Sequence, residues 1–282
     1  MADIAIVTDS TAYIPQELVD HYRIHVAPQI LIWGDESYLD GVDMFPDEFY
    51  AKLQNSKQLP TTSQATVASF HKIFEPLAAE GRQILAIVIS EKLSGTLQSA
   101  RQAKAMFPDA TIALVDSRSA SMELGFQVLA AARAAEAGKS FQEVVDLAER
   151  AKQHTGVYFV VDTLEFLHKG GRIGGAARLL GTAINLKPIL QVADGQVESF
   201  TNVRTKAKAY NRLLDILEER LQGKANLRLA TLHAAAEQDA QSLLQEATKR
   251  LNPIETIISQ VSPVVGTHVG PGTVGLAFCT DL

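Results

Sequence analysis

Apolar positions in the first half of the chain form short continuous runs, and each run is followed by a segment with helical spacing. The runs lie at residues 4–7, 83–89 and 111–116, and the segment after residue 64 repeats its apolar side chains every three or four positions. Continuous apolar strands that alternate with helices predict a parallel sheet covered on both faces. The pattern therefore indicates an α/β domain with a Rossmann-like sheet, which we place at residues 1–155.

The pattern changes in the second half. Ser140 and Glu143 form a capping-box sequence at the start of a helix that leads to a new strand near residue 157. Residues 175–186 are rich in small side chains and predict a helix. Asp194-Gly195 separates two apolar runs and predicts a β-hairpin, and further helices alternate with strands up to residue 279. Hairpin pairing combined with crossovers predicts a mixed-sheet α/β domain at residues 156–282.

Composition limits the class of protein. The 282 residues carry a net charge of −6, which disfavours nucleic-acid binding, and the lone Cys279 permits no internal disulfide. The N-terminal sequence has an acidic residue and only a four-residue apolar run, so we expect no signal peptide. No apolar run approaches the roughly 20 residues that span a bilayer. We therefore expect a cytoplasmic protein without a membrane segment.

The loop Ser94-Gly95-Thr96 stands between an apolar strand and a helix, a geometry that directs backbone N–H groups at an anion. It lacks the first glycine of G-x-S-x-G, the nucleophile elbow of hydrolases, and it lacks the lysine of a phosphate-binding P-loop. What remains is a cradle of hydroxyls and N–H groups suited to a singly charged head group. The plain alternative is that Ser94 or Thr96 only caps the helix.

Two further loops are rich in hydroxyls. Thr61, Thr62 and Ser63 precede a helix that needs only one of them as a cap, and residues 8–11 follow the first strand. In open α/β sheets ligands bind above the carboxyl ends of the strands. We therefore expect these loops and the Ser94 loop to converge on one site.

The remaining candidates are a histidine and two arginines. His268 lies among glycines, where backbone can approach a ligand closely, and none of the seven histidines belongs to a recognisable metal-binding motif. We therefore predict neither a metal nor a cofactor. Residues 165–210 hold seven basic side chains against three acidic ones, and within them Arg172 and Arg204 are placed to flank a ligand mouth or a docking surface. A solvated surface explains the same charges.

In order along residues 3–280, the segments VTDSTAYIP, LPTTSQ, KLSGTLQSA, VDTLEFLHKGGRI, KPILQVADG, VRTKAKA and GTHVGPGTVGLAF resemble the motifs of the DegV family. The resemblance implies two α/β domains that bind a long-chain fatty acid, such as hexadecanoate, in a buried tunnel between them. It also implies a non-catalytic role, in which the protein is the acyl-carrying subunit that serves a separate bacterial fatty acid kinase.

The resemblance assigns roles to individual residues. Thr62 and Ser94 match the residues that hold the fatty acid carboxylate, and His268 completes their polar network. Arg172 and Arg204 match arginines linked to the carboxylate region and to the kinase partner, and Ser63, Gly95 and Thr96 are the neighbouring candidates. Two alternatives stay open: an acyl hydrolase or transferase that uses Ser94 with His268, and a sensor of sugar or nucleotide phosphates.

Overall fold

The computed structural model describes residues 3–181 and 186–282, and within these ranges the chain forms an α/β fold with three sheets. The strands are β1 (Ile4–Asp9), β2 (His25–Ala27), β3 (Ile30–Trp33), β4 (Glu36–Leu39), β5 (Thr61–Ser63), β6 (Gln83–Val88), β7 (Ile112–Asp116), β8 (Thr155–Val160), β9 (Lys187–Ala193), β10 (Gln196–Val203), β11 (Arg228–His233), β12 (Glu255–Gln260) and β13 (Val274–Cys279). The helices are α1 (Gln16–His21), α2 (Pro46–Asn55), α3 (Val67–Ala79), α4 (Thr96–Lys104), α5 (Ser121–Glu136), α6 (Phe141–Ala151), α7 (Glu165–Lys169), α8 (Lys206–Leu221), α9 (Glu237–Leu251) and α10 (Pro263–Val269).

The first sheet is parallel, with the strand order β2-β1-β6-β7, as the alternating pattern predicted. Helices α3 and α4 cover one face, where Phe70, Phe74 and Leu97 are fully or almost fully buried against Val7 and Ile84. Helices α5 and α6 cover the other face. The strands are apolar on both sides because both faces are covered.

The second large sheet is mixed, with the order β10-β9-β8-β13-β11-β12 and one parallel pair, β11 with β12. Helices α8 and α9 pack on one face, and α5 packs on the other through β8 and β13. Helix α5 therefore lies between the two large sheets and is buried at most of its positions. This position explains why its sequence is rich in alanine and has no wide polar face.

One continuous apolar cluster crosses between the two halves. It includes Ile6 and Ile87 from the parallel sheet and Val157 and Leu232 from the mixed sheet. The strands of the parallel sheet end at residue 116 and those of the mixed sheet begin at residue 155. The division into residues 1–155 and 156–282 agrees with this distribution of strands but stays a prediction.

The third sheet, β4-β3-β5, is antiparallel. The turn residues Gly34-Asp35 indicate its β3-β4 hairpin, but the sequence does not predict the third strand, β5. Residues 24–33 read as one strand from their apolar pattern, but Pro28, which lacks a backbone donor, divides them into β2 and β3 of different sheets. Gly34 and Asp35 form the turn that joins β3 to β4. Thr61–Ser63 forms β5, and the cap of α3 is Thr66, which accepts a hydrogen bond from the Ser69 N–H.

Two predictions in the second half are confirmed and one is corrected. The capping box of α6 and the Asp194-Gly195 hairpin are present. The helix expected over residues 175–186 is a 3-10 turn at Gly174–Leu179, and residues 182–185 of that prediction lie outside the described residues. Gly174 has a φ of 50° and packs closely against the Val197 backbone, which a regular α-helix at this position does not allow.

Candidate functional site

A narrow cavity with a volume of about 90 Å³ lies between the two large sheets. Both predicted domains contribute to the wall, which is largely aliphatic and includes Ile89, Val157, Phe159, Leu232, Val264 and Val269. Such a wall favours an extended apolar ligand because burial of hydrocarbon is its main source of binding free energy.

Polar side chains from four separate elements meet at this cavity. Thr62 of β5, Ser94 before α4, Arg172 after α7 and His268 of α10 all line it. A Cβ atom at Gly95 would lie 3.1 Å from the Gln64 side chain, so the Ser94 loop packs against the segment that carries Thr62. The structure thus brings together four residues that are far apart in sequence.

The imidazole of His268 is held by Thr62. The Thr62 Oγ1 lies 2.8 Å from the His268 Nε2, while the buried Nδ1 makes no hydrogen bond among the described residues. Burial, together with the nearby positive charge of Arg172, lowers the pKa of His268 to about 4. The ring is therefore neutral near pH 7 and offers one N–H donor and one acceptor nitrogen.

Ser94 stands in a turn whose backbone is fixed by Ser90: the N–H of Leu93 and the N–H of Ser94 both donate to the Ser90 carbonyl. The Ser94 Oγ lies 2.9 Å from the Thr96 Oγ1 and accepts a long hydrogen bond of 3.4 Å from the Thr96 N–H. The N-cap residue of α4 is Gly95, without a side-chain cap. Ser94 is therefore only a weak cap, and its hydroxyl is available to a ligand.

The two arginines occupy different places. The Arg172 Nε donates to the Leu93 carbonyl at 3.1 Å and its Nη1 donates to the Gly170 carbonyl at 2.8 Å, so its guanidinium bridges the two halves at the cavity wall. Arg204 is exposed between β10 and α8 and does not line the cavity. Ser63 lines the cavity, Gly95 is exposed beside it, and Thr96 is buried behind Ser94.

Residues 8–11, at the end of β1 and after it, do not line the cavity, so the prediction of a third ligand loop there is wrong. They support the site from behind. The buried Asp9 carboxylate accepts hydrogen bonds from the Ile89 N–H at 2.7 Å, from the Thr11 N–H and from the Gln29 Nε2 at 3.0 Å each. Asp9 thereby ties β1 to the start of the Ser94 loop. Ser10 donates to the buried Asp40 at 2.6 Å.

Sequence reasoning missed five polar residues of the wall: Tyr13, Gln29, Gln64, Ser121 and Thr273. Tyr13 belongs to the VTDSTAYIP segment, but only its hydroxyl-rich part was treated as a candidate. Ser121 is the first residue of α5, in a segment whose polar residues the sequence alone does not assign to a helix. A polar residue next to a predicted strand end was the available signal in both cases.

The arrangement does not form a catalytic dyad. Ser94 bonds to Thr96, whereas His268 bonds to Thr62, and no described carboxylate orients the imidazole. Within residues 3–181 and 186–282, no group of three or more His, Cys, Asp or Glu side chains is placed to hold a metal ion. In the same ranges, no helix combines the length and the apolar character needed to cross a bilayer.

The fold and the site define an α/β protein with a ligand cavity between two sheets. The model of the family described as "Uncharacterised protein, DegV family" matches residues 3–281. A DegV domain-containing protein of Clostridium perfringens is 36% identical over 282 residues, which cover 99% of each chain. The chain therefore belongs to the DegV family.

Solved structures of the family agree closely with this fold. A DegV family protein from Thermus thermophilus, described for its fatty acid binding, has 35% identity and a TM-score of 0.94, with 100% of both chains covered. DegV of Bacillus subtilis, described as a fatty acid binding protein, has 31% identity and a TM-score of 0.92, again over 100% of both chains.

Proposed function

We propose that the protein binds a long-chain fatty acid in the cavity between its two sheets, with the carboxylate at Thr62, Ser94 and His268. The observation that carries the proposal is the meeting of an aliphatic cavity with one polar cluster. Relatives described as fatty acid binding proteins, with the same fold, support it.

The magnitudes are consistent with this assignment. A 16-carbon chain buries about 14 methylenes at roughly 0.8 kcal/mol each, a gross gain of about 11 kcal/mol. Ordering of the chain and loss of free motion offset part of this gain. The head group then needs only enough hydrogen bonds to avoid a stranded carboxylate, which two hydroxyls, a neutral imidazole and the Arg172 guanidinium supply.

We further propose that the protein is a cytoplasmic carrier that presents the bound carboxylate to a separate fatty acid kinase and has no catalytic activity of its own. The polar cluster lies near the surface, because Gln64 and Gly95 beside it are exposed. A partner enzyme can therefore reach the head group while the tail stays buried. Arg204 is exposed outside the cavity, a position suited to a partner contact.

Native mass spectrometry of protein purified from cells, followed by titration with palmitate, tests the first proposal. We expect a bound fatty acid, and binding weakened roughly ten- to hundredfold by Ser94→Ala, the loss expected for one hydrogen bond to a charged group. Absence of bound lipid together with absence of palmitate binding would refute it. Ester turnover that Ser94→Ala abolishes would favour the hydrolase, and thermal stabilisation by phosphorylated metabolites alone would favour the sensor.

A second experiment tests presentation to a kinase. The palmitate-loaded protein is incubated with a bacterial fatty acid kinase catalytic subunit and ATP, and acyl phosphate is trapped with hydroxylamine. We expect Arg204→Ala to bind palmitate like the unmodified protein but to give less acyl phosphate. Equal yields from both proteins would exclude the Arg204 contact, and no acyl phosphate from either would exclude presentation to that kinase.

A further inference from the structure

The two halves of the chain enclose a second space, a cleft that is separate from the cavity of the proposed fatty acid site. Its volume is about 630 Å³, and its walls are the loop before α5, the helices α5, α6 and α8, and the strands β8 and β9. Val157 and Val192 line both spaces, whereas the polar cluster of Thr62, Ser94 and His268 does not line the cleft. The cleft therefore shares a wall with the cavity but has polar groups of its own.

Glu123 of α5 is a buried acid with one free oxygen at this cleft. The residue is 7% exposed, and the Ser119 hydroxyl donates a hydrogen bond to its Oε2. Its Oε1 has no hydrogen-bond partner among the described residues but is accessible to solvent, which reaches Glu123 through the cleft. A carboxyl group that is more than nine-tenths buried thus presents one unpaired oxygen to the cleft, an unfavourable arrangement that a ligand would relieve.

The Glu123 carboxyl can donate a hydrogen bond. Burial raises its pKa to about 8, although the Ser119 hydrogen bond and the charge of Arg220 oppose this rise. The group is therefore mostly protonated near pH 7. Because Oε2 accepts the hydrogen bond from Ser119, Oε1 carries the proton and directs it into the cleft.

Tyr158 of β8 and Arg220 of α8 lie beside Glu123, and all three line the cleft. The guanidinium carbon of Arg220 is 6.0 Å from the centroid of the Tyr158 ring and 5.9 Å from that of Phe278, so two aromatic rings position it. Burial raises the pKa of the Tyr158 hydroxyl, the guanidinium of Arg220 opposes this rise and the charge of Glu123 adds to it. The three groups are therefore close enough to act on one another, and the hydroxyl stays protonated as a second donor.

The charges that line the cleft favour an anion. Neither Arg118, in the loop before α5, nor Arg220 forms an ion pair within the part of the chain that the structure describes. Lys152 is neutralised by Glu149 at 2.6 Å, and Asp194 is exposed at the hairpin turn. With the buried carboxyl protonated, the cleft has one excess positive charge in a chain whose net charge is −6.

We infer that the cleft at Glu123, Tyr158 and Arg220 is a second binding site, which takes the phosphate group of a small molecule or free phosphate. The groups that face it are donors: a carboxyl O–H, a phenol O–H and guanidinium N–H groups. The terminal oxygens of a phosphate accept from all of them, and the arginine fork matches their geometry, whereas a planar carboxylate offers only two oxygens. Ordered water is the competing occupant, and it gives no response to added anions.

The test uses the full chain as purified, with and without added palmitate. Calorimetric titration near pH 7 and at constant ionic strength compares inorganic phosphate, glycerol phosphate and succinate, a dianion without phosphate. We expect inorganic phosphate, glycerol phosphate or both to bind whether or not palmitate is present, and which of them binds distinguishes free phosphate from a phosphate ester. No binding of either phosphate overturns the inference, and so does equal binding of succinate. Loss of phosphate binding on addition of palmitate would place the anion in the other cavity.

A pair of variants on α8 tests the position of the anion. Arg220→Gln removes a guanidinium from the cleft and should weaken phosphate binding roughly ten- to hundredfold, the loss of one hydrogen bond between charged groups. Arg212→Gln is the matched control, because Arg212 pairs with Glu219 at 3.0 Å and does not line the cleft. It should bind phosphate like the unmodified protein. Equal losses in the two variants would indicate a general effect of charge and overturn the site.

Glu123→Gln tests the buried carboxyl. The glutamine amide keeps an N–H donor but does not ionise, so this variant should retain phosphate binding near pH 7. In the unmodified protein, phosphate affinity should fall as the pH rises through about 8, because the carboxylate then repels the anion. The variant should lack this fall, and identical pH profiles of the two proteins would overturn the role of Glu123.

Palmitate titration separates this inference from the proposed function. Glu123, Arg212 and Arg220 do not line the cavity of the proposed fatty acid site, so the three variants should bind palmitate like the unmodified protein. Failure of the unmodified protein to bind palmitate refutes the proposed function, whereas failure to bind either phosphate refutes only the second site.

Discussion

A substitution at Gly170 tests whether the position of the His268 ring determines binding at the polar cluster of the cavity. A Cβ atom placed on Gly170 would lie 2.9 Å from the His268 Cε1 and still closer to the Nδ1, whereas ordinary contacts are 3.4–4 Å. Its φ of −76° and ψ of −7° suit alanine without strain. Gly170→Ala therefore perturbs the position of the imidazole and leaves the backbone conformation unaffected.

The size of the effect follows from the contacts. To stand 3.4 Å from the new Cβ atom, the His268 ring must move by about half an ångström at Cε1 and further at Nδ1. This movement disrupts the 2.8 Å contact between the Thr62 Oγ1 and the His268 Nε2. Loss of a buried hydrogen bond costs about 1–3 kcal/mol. We expect palmitate affinity to fall roughly five- to hundredfold at 1.4 kcal/mol per factor of ten.

The assay is a palmitate titration near pH 7.5 together with a thermal melt. Gly171→Ala is the control: Gly171 has a φ of 69°, and a Cβ atom added there would have no neighbouring atom within 4 Å. Alanine at this position should therefore lower stability by about 1 kcal/mol and leave affinity unchanged. The reasoning is refuted if Gly170→Ala binds palmitate with the affinity of the unmodified protein.

Three other predictions concern charge and backbone. Burial raises the pKa of Glu123 to about 8, so the folded state binds a proton that the unfolded state releases above about pH 4.5. The free energy of unfolding should therefore fall as the pH rises from about 4.5 to about 8. Glu123→Gln should flatten this part of a profile of stability against pH, measured by denaturation. Arg172→Gln should raise the pKa of His268, measured by NMR of the ring protons, and an unchanged value would contradict their proximity. Gly195 has a φ of 82°, and a Cβ atom there would clash with the Ser90 hydroxyl, whereas Gly223 has a φ of 77° and open space around it. Gly195→Ala should therefore lower the melting temperature more than Gly223→Ala. Equal losses would argue against this clash.

Much of the fold was predictable because many elements are specified by residues within a few positions of one another and by the apolar pattern of their buried faces. Buried parallel strands must be apolar on both faces, and the capping box of Ser140 and the turn at Asp194-Gly195 act within a few residues. The small sheet formed by β3, β4 and β5 was not predictable in the same way. Its strands are three or four residues long, and Thr61–Ser63 pairs with a strand about 30 residues earlier.

The same distinction between local sequence information and tertiary packing applies to the residues of the site. Sequence alone determined that Thr62, Ser94 and His268 were candidates, since hydroxyls at strand ends, a missing P-loop lysine and the DegV motifs are readable without coordinates. Only the tertiary structure decided that Thr62 holds His268 across 206 positions, that Arg204 lies outside the cavity and that Tyr13 and Ser121 line it. The physical reason is that the side chains along the sequence specify which groups can bind a ligand. The packing of α5 between the two large sheets, and of α10 against β5 and α7, specifies which of these groups meet.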